Sequence, residues 1–525
     1  LHGIDLDTGV ERQLSPSTAG VQAQLLAHNR WHPYELLIGL NDRDEQLHDV
    51  HRLDLRTGEL TLVEQNPGFA GWLIDTDLVV RGGVLVQPDG SEQILLRDGA
   101  EGEYRPFREV THEDSAATGV VGFSRDGRCL LMSSSVGVNA ARLVRVDLDT
   151  GAETIIAGDP TYDVSNVVLH PETREPQAVV FAKDRAEYVV LDESIRADLE
   201  ALRAYRDAEL TISRTERADR IWLVGYARPD GPVEYATYDR DTGDIKPMFV
   251  HKEALLSYEL APMDPFAYTS RDGLTVHGYI TFPAGAEHHD LPAVLLVHGG
   301  PWHRDTWAYD PTVQWLANRG YAVVQVNFRG SLGYGKSFVN AGNKQWGAAM
   351  HDDLVDAVAY VVDRGWADPQ RMGIFGGSYG GYAALAGVAF TPDTFRCAVD
   401  LCGPSNLLTL IASVPEYWKP MIADLHQRIG NPETDADMLV RRSPLTSVDA
   451  IRSPVLVAQG ANDPRVKQAE AEQIVAALRD KGVDHEYVLF ADEGHGLAKP
   501  ENRERFYAAT EPFLARHLGG RVQKD

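Results

Sequence analysis

Met372-Gly373-Ile374-Phe375-Gly376-Gly377-Ser378-Tyr379-Gly380-Gly381-Tyr382-Ala383-Ala384-Leu385-Ala386-Gly387 changes character at one serine. A short apolar run precedes Ser378, glycines surround it, and a string of small residues follows. The pattern predicts a strand, a sharp turn and a helix. A serine on such a turn holds its hydroxyl clear of the sheet. Glycines are required where the backbone bends tightly and neighbours approach closely. A lone G-x-S-x-G carries little, so the rest of the chain must supply a base, an acid and an oxyanion site.

The flanking sequence has the layout such a turn needs. Apolar runs at Ala293–His298, Ala322–Phe328, Met372–Phe375, Cys397–Leu401, Pro454–Gln459 and Glu486–Phe490 read as strands buried on both faces. Between them, Leu354, Val355, Val358, Val361 and Val362 form one helical stripe; Val466, Ala469, Ile474, Val475 and Leu478 form another, stopped at Gly482. Pro500 opens a last helix that ends at Gly519, and Phe266 to Phe282 reads as a hairpin around Asp272-Gly273. Strand–helix alternation predicts an α/β fold over residues 262–525, a mostly parallel sheet of eight strands with helices on both faces. Reactive side chains are then expected at the carboxyl ends of strands.

Three candidates lie there. Ser378 follows one strand, Asp463 follows Val455–Gln459, and His495 follows Tyr487–Phe490. The order Ser, Asp, His is that of α/β-hydrolases. A serine hydroxyl needs a base to take its proton, and the base needs an acid to fix its tautomer. Asp492 and Glu493 are rival acids, but a neighbour in the histidine's own loop seldom reaches the far ring nitrogen. For the oxyanion the expected donors are the amides of Tyr379 and of Gly300, in His298-Gly299-Gly300-Pro301. His298 itself reads as a loop brace.

Residues 1–261 read differently. Asp5-Leu6-Asp7-Thr8-Gly9, Asp54-Leu55-Arg56-Thr57-Gly58, Asp147-Leu148-Asp149-Thr150-Gly151 and Asp239-Arg240-Asp241-Thr242-Gly243 repeat one turn between alternating segments. Their spacing is one or two multiples of about 46 residues, the length of a four-stranded propeller blade. Hairpins are expected at about 9, 58, 102, 151, 193 and 243, giving about six blade units, the first incomplete at a truncated start. A β-sandwich with similar turns would not need so constant a period.

Bulk composition narrows the class. A formal net charge of −27 argues against a nucleic-acid partner. No run of eighteen apolar residues occurs, so no membrane span is expected. Leu1-His2-Gly3-Ile4-Asp5 does not read as a secretory leader. The three cysteines, Cys129, Cys397 and Cys402, lack disulfide or metal-ligand spacing and are expected to be buried thiols, in keeping with a cytoplasmic protein. The chemistry requires no cofactor and no metal.

Together His298–Pro301, Asn327-Phe328-Arg329-Gly330-Ser331-Leu332-Gly333-Tyr334-Gly335, Gly376–Gly381, Gly460–Asp463 and Asp492-Glu493-Gly494-His495-Gly496 resemble the prolyl oligopeptidase family of serine peptidases, in its acylaminoacyl-peptidase-like branch. The resemblance implies the triad Ser378, Asp463 and His495, an acyl-enzyme route, and a propeller that admits only short peptides. It implies that Arg465 contacts the substrate backbone; Tyr417 and Trp418 are candidates for lining the pocket beside the scissile bond. The resemblance implies first an acylaminoacyl-peptidase or oligopeptidase acting on short peptides, with an aminopeptidase or dipeptidyl-peptidase acting on free amino ends as the alternative; which bonds are cut stays open, as does oligomeric state. An esterase could use the same triad. Gly330 to Ser337 also matches the phosphate-loop pattern G-x-x-x-x-G-K-S, an NTPase alternative weakened by the poor helix start at Phe338–Asn343.

Overall fold

A computed structural model describes residues 1–18, 20–214 and 218–523. The C-terminal part is built on one eight-stranded sheet. Its strands are β1 (Met263–Thr269), β2 (Thr275–Thr281), β3 (Leu291–Val297), β4 (Ala322–Asn327), β5 (Ala367–Gly377), β6 (Cys397–Leu401), β7 (Val455–Gly460) and β8 (His485–Phe490). Their order is β1-β2-β4-β3-β5-β6-β7-β8. Only β2 runs against the others, pairing antiparallel with β1 and β4. Strand β5 is longer than the four apolar residues suggest, because its polar start, Ala367 to Arg371, continues the same extended run.

Both faces of this sheet are covered, which is why its strands read as apolar runs rather than alternations. On β3, Ala293, Leu295 and Val297 pack on one face with Leu354, Ala384 and Ile474, from helices Ala349–Asp363, Tyr379–Phe390 and Gln468–Lys481. Val294 points to the opposite face, toward Leu316 and Phe513 of helices Pro311–Asn318 and Pro500–Leu518. Gly482 closes its helix in the left-handed conformation (φ 69°), the stop its position predicts.

The N-terminal part forms a β-propeller: a two-stranded ribbon and then five antiparallel sheets, four of them four-stranded and one three-stranded. The repeated Asp-x-x-Thr-Gly segments make one turn four times. Gly9, Gly58, Gly151 and Gly243 each have φ between 68° and 78°, and each donates its N–H to the Asp carbonyl four residues back. The period fails once. After Ala186–Val190 the chain makes no hairpin near 193; Asp192 caps Ser194 and helix Arg196–Tyr205 follows, burying Leu199 and Leu202. That sheet therefore has three strands.

The loop Gly330–Ser337 joins the two parts. The Gly335 amide donates to Asp163 Oδ2 (3.0 Å), that of Lys336 to the Asn139 carbonyl (2.9 Å), and that of Ser337 to Asn139 Oδ1 (3.0 Å). Lys336 Nζ meets Asp114 Oδ1 at 2.7 Å. Donors a nucleotide phosphate would need are thus committed to the propeller. The stretch from Phe338, expected to be a poor helix start, begins inside a short helix, Lys336–Asn340. The phosphate-loop alternative is set aside on these contacts.

Beneath the same loop, Arg329 (6% exposed) is held by two carboxylates. Its Nε and Nη2 donate to Asp353 at 2.9 and 2.8 Å, and Nη1 and Nη2 to Asp272 at 2.7 and 2.8 Å. Arg329→Met leaves Asp353 buried without its cation, and is expected to cost about 3–5 kcal/mol. A drop in the urea midpoint with an unchanged slope checks this.

Candidate active site

The elbow at Ser378 depends on glycines for space. A Cβ on Gly376 would lie 2.4 Å from Gly380, and one on Gly380 only 2.0 Å from the Val297 carbonyl oxygen. These contacts press the start of helix Tyr379–Phe390 against β3 and β5. Ser378 takes φ 59°, ψ −120°, a strained position for a non-glycine residue, and its amide donates to the Leu401 carbonyl (2.9 Å).

Loops after β7 and β8 bring the other two groups to it. His495 Nε2 lies 3.1 Å from Ser378 Oγ, and His495 Nδ1 lies 2.7 Å from Asp463 Oδ2. Asp463 is buried, and its other oxygen accepts the amides of Arg465 (2.8 Å) and Val466 (3.0 Å). With both oxygens engaged, the carboxylate is fixed in place and accepts from Nδ1–H. That leaves Nε2 as the lone-pair nitrogen facing the serine. The rival acids are occupied elsewhere: Glu493 accepts the amides of Ala498 and Lys499, and Asp492 meets Lys499 and Asn502.

Tyr379 opens its helix, where an N–H has no acceptor in the preceding turn. Tyr379 and Gly300 line the same cavity as Ser378 and His495, a space of about 400 Å³. Its remaining wall is mostly apolar, including Trp302, Trp346, Leu410, Ile411 and Leu425. His298 braces the loop that carries Gly300. It stacks on Phe328 (4.5 Å), and its Nδ1 meets the Gly299 carbonyl at 2.8 Å, which makes Nδ1 the donor and Nε2 the acceptor for Ser331 Oγ (3.1 Å). Burial pushes its imidazole down to about 4, so the ring is neutral.

Trp418 and Arg465 line this cavity, with the Arg465 guanidinium 5.7 Å from the Trp418 ring. Tyr417 does not. It faces a second space of about 380 Å³ that shares Trp418, Met421 and Arg465 with the first and is roofed by propeller residues including Gln22, Gln24, His48 and Trp72. Sequence reasoning missed Trp302 and Trp346, which carry no motif. Of the three thiols, Cys397 and Cys402 are buried, whereas Cys129, expected to be buried, is only half-buried.

Asp400, near the end of β6, is fully buried under helix Tyr379–Phe390 and accepts the Gly403 amide (2.7 Å). Burial, with the nearby Glu470 charge, pushes its carboxyl up to about 8. The folded chain therefore keeps a proton there that the unfolded chain releases near pH 4. Stability from this group is complete below about pH 4 and is lost progressively as pH rises toward 8. Asp400→Asn, which keeps the acceptor for Gly403, is expected to flatten that decline. Urea midpoints at pH 5 and pH 8 read the difference.

Comparison with known proteins agrees with this architecture. Residues 307–521 match the model of the prolyl oligopeptidase family. Dipeptidyl aminopeptidase BIII of Pseudoxanthomonas mexicana is 44% identical over 533 residues, covering 100% of this chain and 77% of that protein. Dipeptidyl peptidase family member 6 of Caenorhabditis elegans is 35% identical, covering 96% of this chain and 72% of its own length. The acylamino-acid-releasing enzyme of Arabidopsis thaliana is 28% identical over 40% of this chain and 28% of that enzyme. In fold, the chain is similar to the structure of a Mycobacterium tuberculosis puromycin-hydrolyzing peptidase, with a TM-score of 0.78 at 21% identity, covering 100% of this chain and 83% of that one. The chain belongs to the prolyl oligopeptidase family and is a serine peptidase of that family. Among the described residues no helix is long and apolar enough to cross a membrane.

Proposed function

We propose that Ser378, His495 and Asp463 form the catalytic triad of a peptidase that removes dipeptides from the free amino ends of short peptides. The observation that carries the triad is the unbroken hydrogen-bonded run from Asp463 through His495 to Ser378, opening on a cavity beneath the propeller. In the forward step Ser378 Oγ attacks the carbonyl carbon while His495 Nε2 takes its proton. The developing oxyanion is held by the amides of Tyr379 and Gly300. His495, now an imidazolium stabilised by Asp463, returns the proton to the leaving amine. Water then repeats the sequence on the acyl-enzyme and frees Ser378. Arg465, on the wall of both cavities, is suited to hold a substrate carbonyl, and Trp418 to pack beside the residue at the scissile bond.

Dipeptide release is favoured over release of acylated residues because the dipeptidyl relatives align with the propeller as well as the hydrolase part. Residues 1–261 then act as the cap and 262–525 as the catalytic unit. The test uses one short peptide with a free and with an acetylated amino end, and a folded protein as control. The expected result is dipeptide release from the free peptide alone. Faster cleavage of the acetylated peptide would turn the assignment to N-acyl substrates.

A further inference from the structure

Cys402 occupies an unusual place. It follows β6 with φ 49°, a left-handed backbone position that a non-glycine residue adopts only under constraint, and it is 4% exposed. Its amide is tied to the Ala458 carbonyl on β7 at 2.8 Å. The result is that Cys402 Sγ, a ring nitrogen of His495 and a carboxylate oxygen of Asp463 all lie within 4.8 Å of one another. Among the described residues this is the one group of three His, Cys, Asp or Glu side chains with ligand atoms that close. The peptidase chemistry uses the histidine and the aspartate and leaves the thiol idle. Burial in an apolar setting pushes its proton affinity up, so it is not a spare nucleophile.

We propose that Cys402, His495 and Asp463 form an inhibitory site for a soft divalent cation, Zn²⁺ or Cd²⁺, which shuts the peptidase off reversibly; the inhibition rests on the triad reading above. Thiolate, imidazole and carboxylate together are a donor set that suits zinc and its heavier congener, and not magnesium. A tetrahedral zinc with bonds of about 2.0–2.3 Å keeps its ligand atoms about 3.3–3.8 Å apart. The three atoms therefore need shifts on the order of 1 Å. His495 borders the open cavity, which gives the ion a way in past the imidazole ring.

The proton balance explains the inhibition. The cation takes the position now held by the Nδ1 proton between His495 and Asp463. That proton moves to Nε2, and the thiol proton leaves to solvent. Cys402 becomes a thiolate, Asp463 stays ionised, and His495 carries its hydrogen on the nitrogen facing Ser378. A base with its lone pair committed to the metal cannot accept the serine proton. No oxidant or reductant is involved.

The test has two readouts. First, cleavage by the full chain is measured with added Zn²⁺, Cd²⁺ or Mg²⁺, then with a chelator, each variant being compared with its own metal-free rate. Wild type is expected to lose activity with Zn²⁺ and Cd²⁺, keep it with Mg²⁺, and recover on chelation. Cys402→Ser should need at least about ten-fold more zinc, since losing a direct ligand costs no less than the roughly 10–100-fold of an outer partner. Second, Cd²⁺ is titrated into Ser378→Ala and into Ser378→Ala/Cys402→Ser, and the ultraviolet cadmium–thiolate absorbance is read. One more cadmium–thiolate equivalent per chain is expected in the first than in the second, any signal from the half-buried Cys129 being common to both. This readout needs no turnover, so it stands even if the triad assignment fails. Equal zinc sensitivity in wild type and Cys402→Ser, or equal cadmium spectra in the two Ser378→Ala proteins, would overturn the proposal.

Discussion

Ser378→Ala is expected to lower kcat by about a million-fold while leaving peptide affinity close to that of the parent chain. The substitution removes one oxygen. It keeps the elbow, the helix that starts at Tyr379 and the amides facing the cavity. What it removes is the only atom able to form the acyl-enzyme, so neither a better base nor a tighter pocket can compensate. Single-turnover kinetics on a free-ended peptide measure the rate, and isothermal titration with the same peptide measures affinity. A fluorophosphonate probe should label the parent and not the variant. Persistent labelling of Ser378→Ala by the probe would end the assignment.

Asp463→Asn is expected to lower kcat by about ten-thousand-fold with KM nearly unchanged. Its Oδ1 can still accept the amides of Arg465 and Val466, so the loop stays in place. The group facing His495 Nδ1, however, becomes an amide N–H. It cannot accept a proton and forces the ring into the tautomer with its hydrogen on Nε2, toward Ser378. Asp492→Asn is the control, because Asp492 is turned toward Lys499 and Asn502. A larger loss in that variant than in Asp463→Asn would move the role of the acid to Asp492.

The catalytic half was legible because its local chemistry and its global arrangement agree. The glycines around Ser378 are demanded by contacts of 2.0–2.4 Å, and such contacts tolerate no other residue. The strands were legible because burial on both faces removes the polar alternation. Other features had no local mark. Cys402 meets Asp463 and His495 only because β6, β7 and β8 lie side by side, and spacings along the chain do not encode that. Tyr417 and Trp418 are neighbours in the short helix Glu416–Met421, and its phase, invisible in a dipeptide, brings Trp418 to the wall of both cavities and Tyr417 to the second alone. Near 193 the period of the turns misled. Leu199 and Leu202, one helical turn apart, carry the stronger signal, and the helix they bury replaces a strand.

The clasp formed by Gly335, Lys336 and Ser337 has a consequence for dissection of the molecule. Cut away from the propeller, the C-terminal half would expose three backbone donors and an ammonium that had faced the buried Asp163 and Asp114 and the surface residue Asn139. It would also uncover Arg304, whose guanidinium donates to the carbonyls of Ala182 and Lys183, and Tyr279, whose hydroxyl donates to that of Asp184. The hydrolase half is thus not a free-standing module with a lid added. Expressed by itself, it would present an adhesive flank, and its tendency to self-associate would scale with how many of these severed bonds remain unquenched.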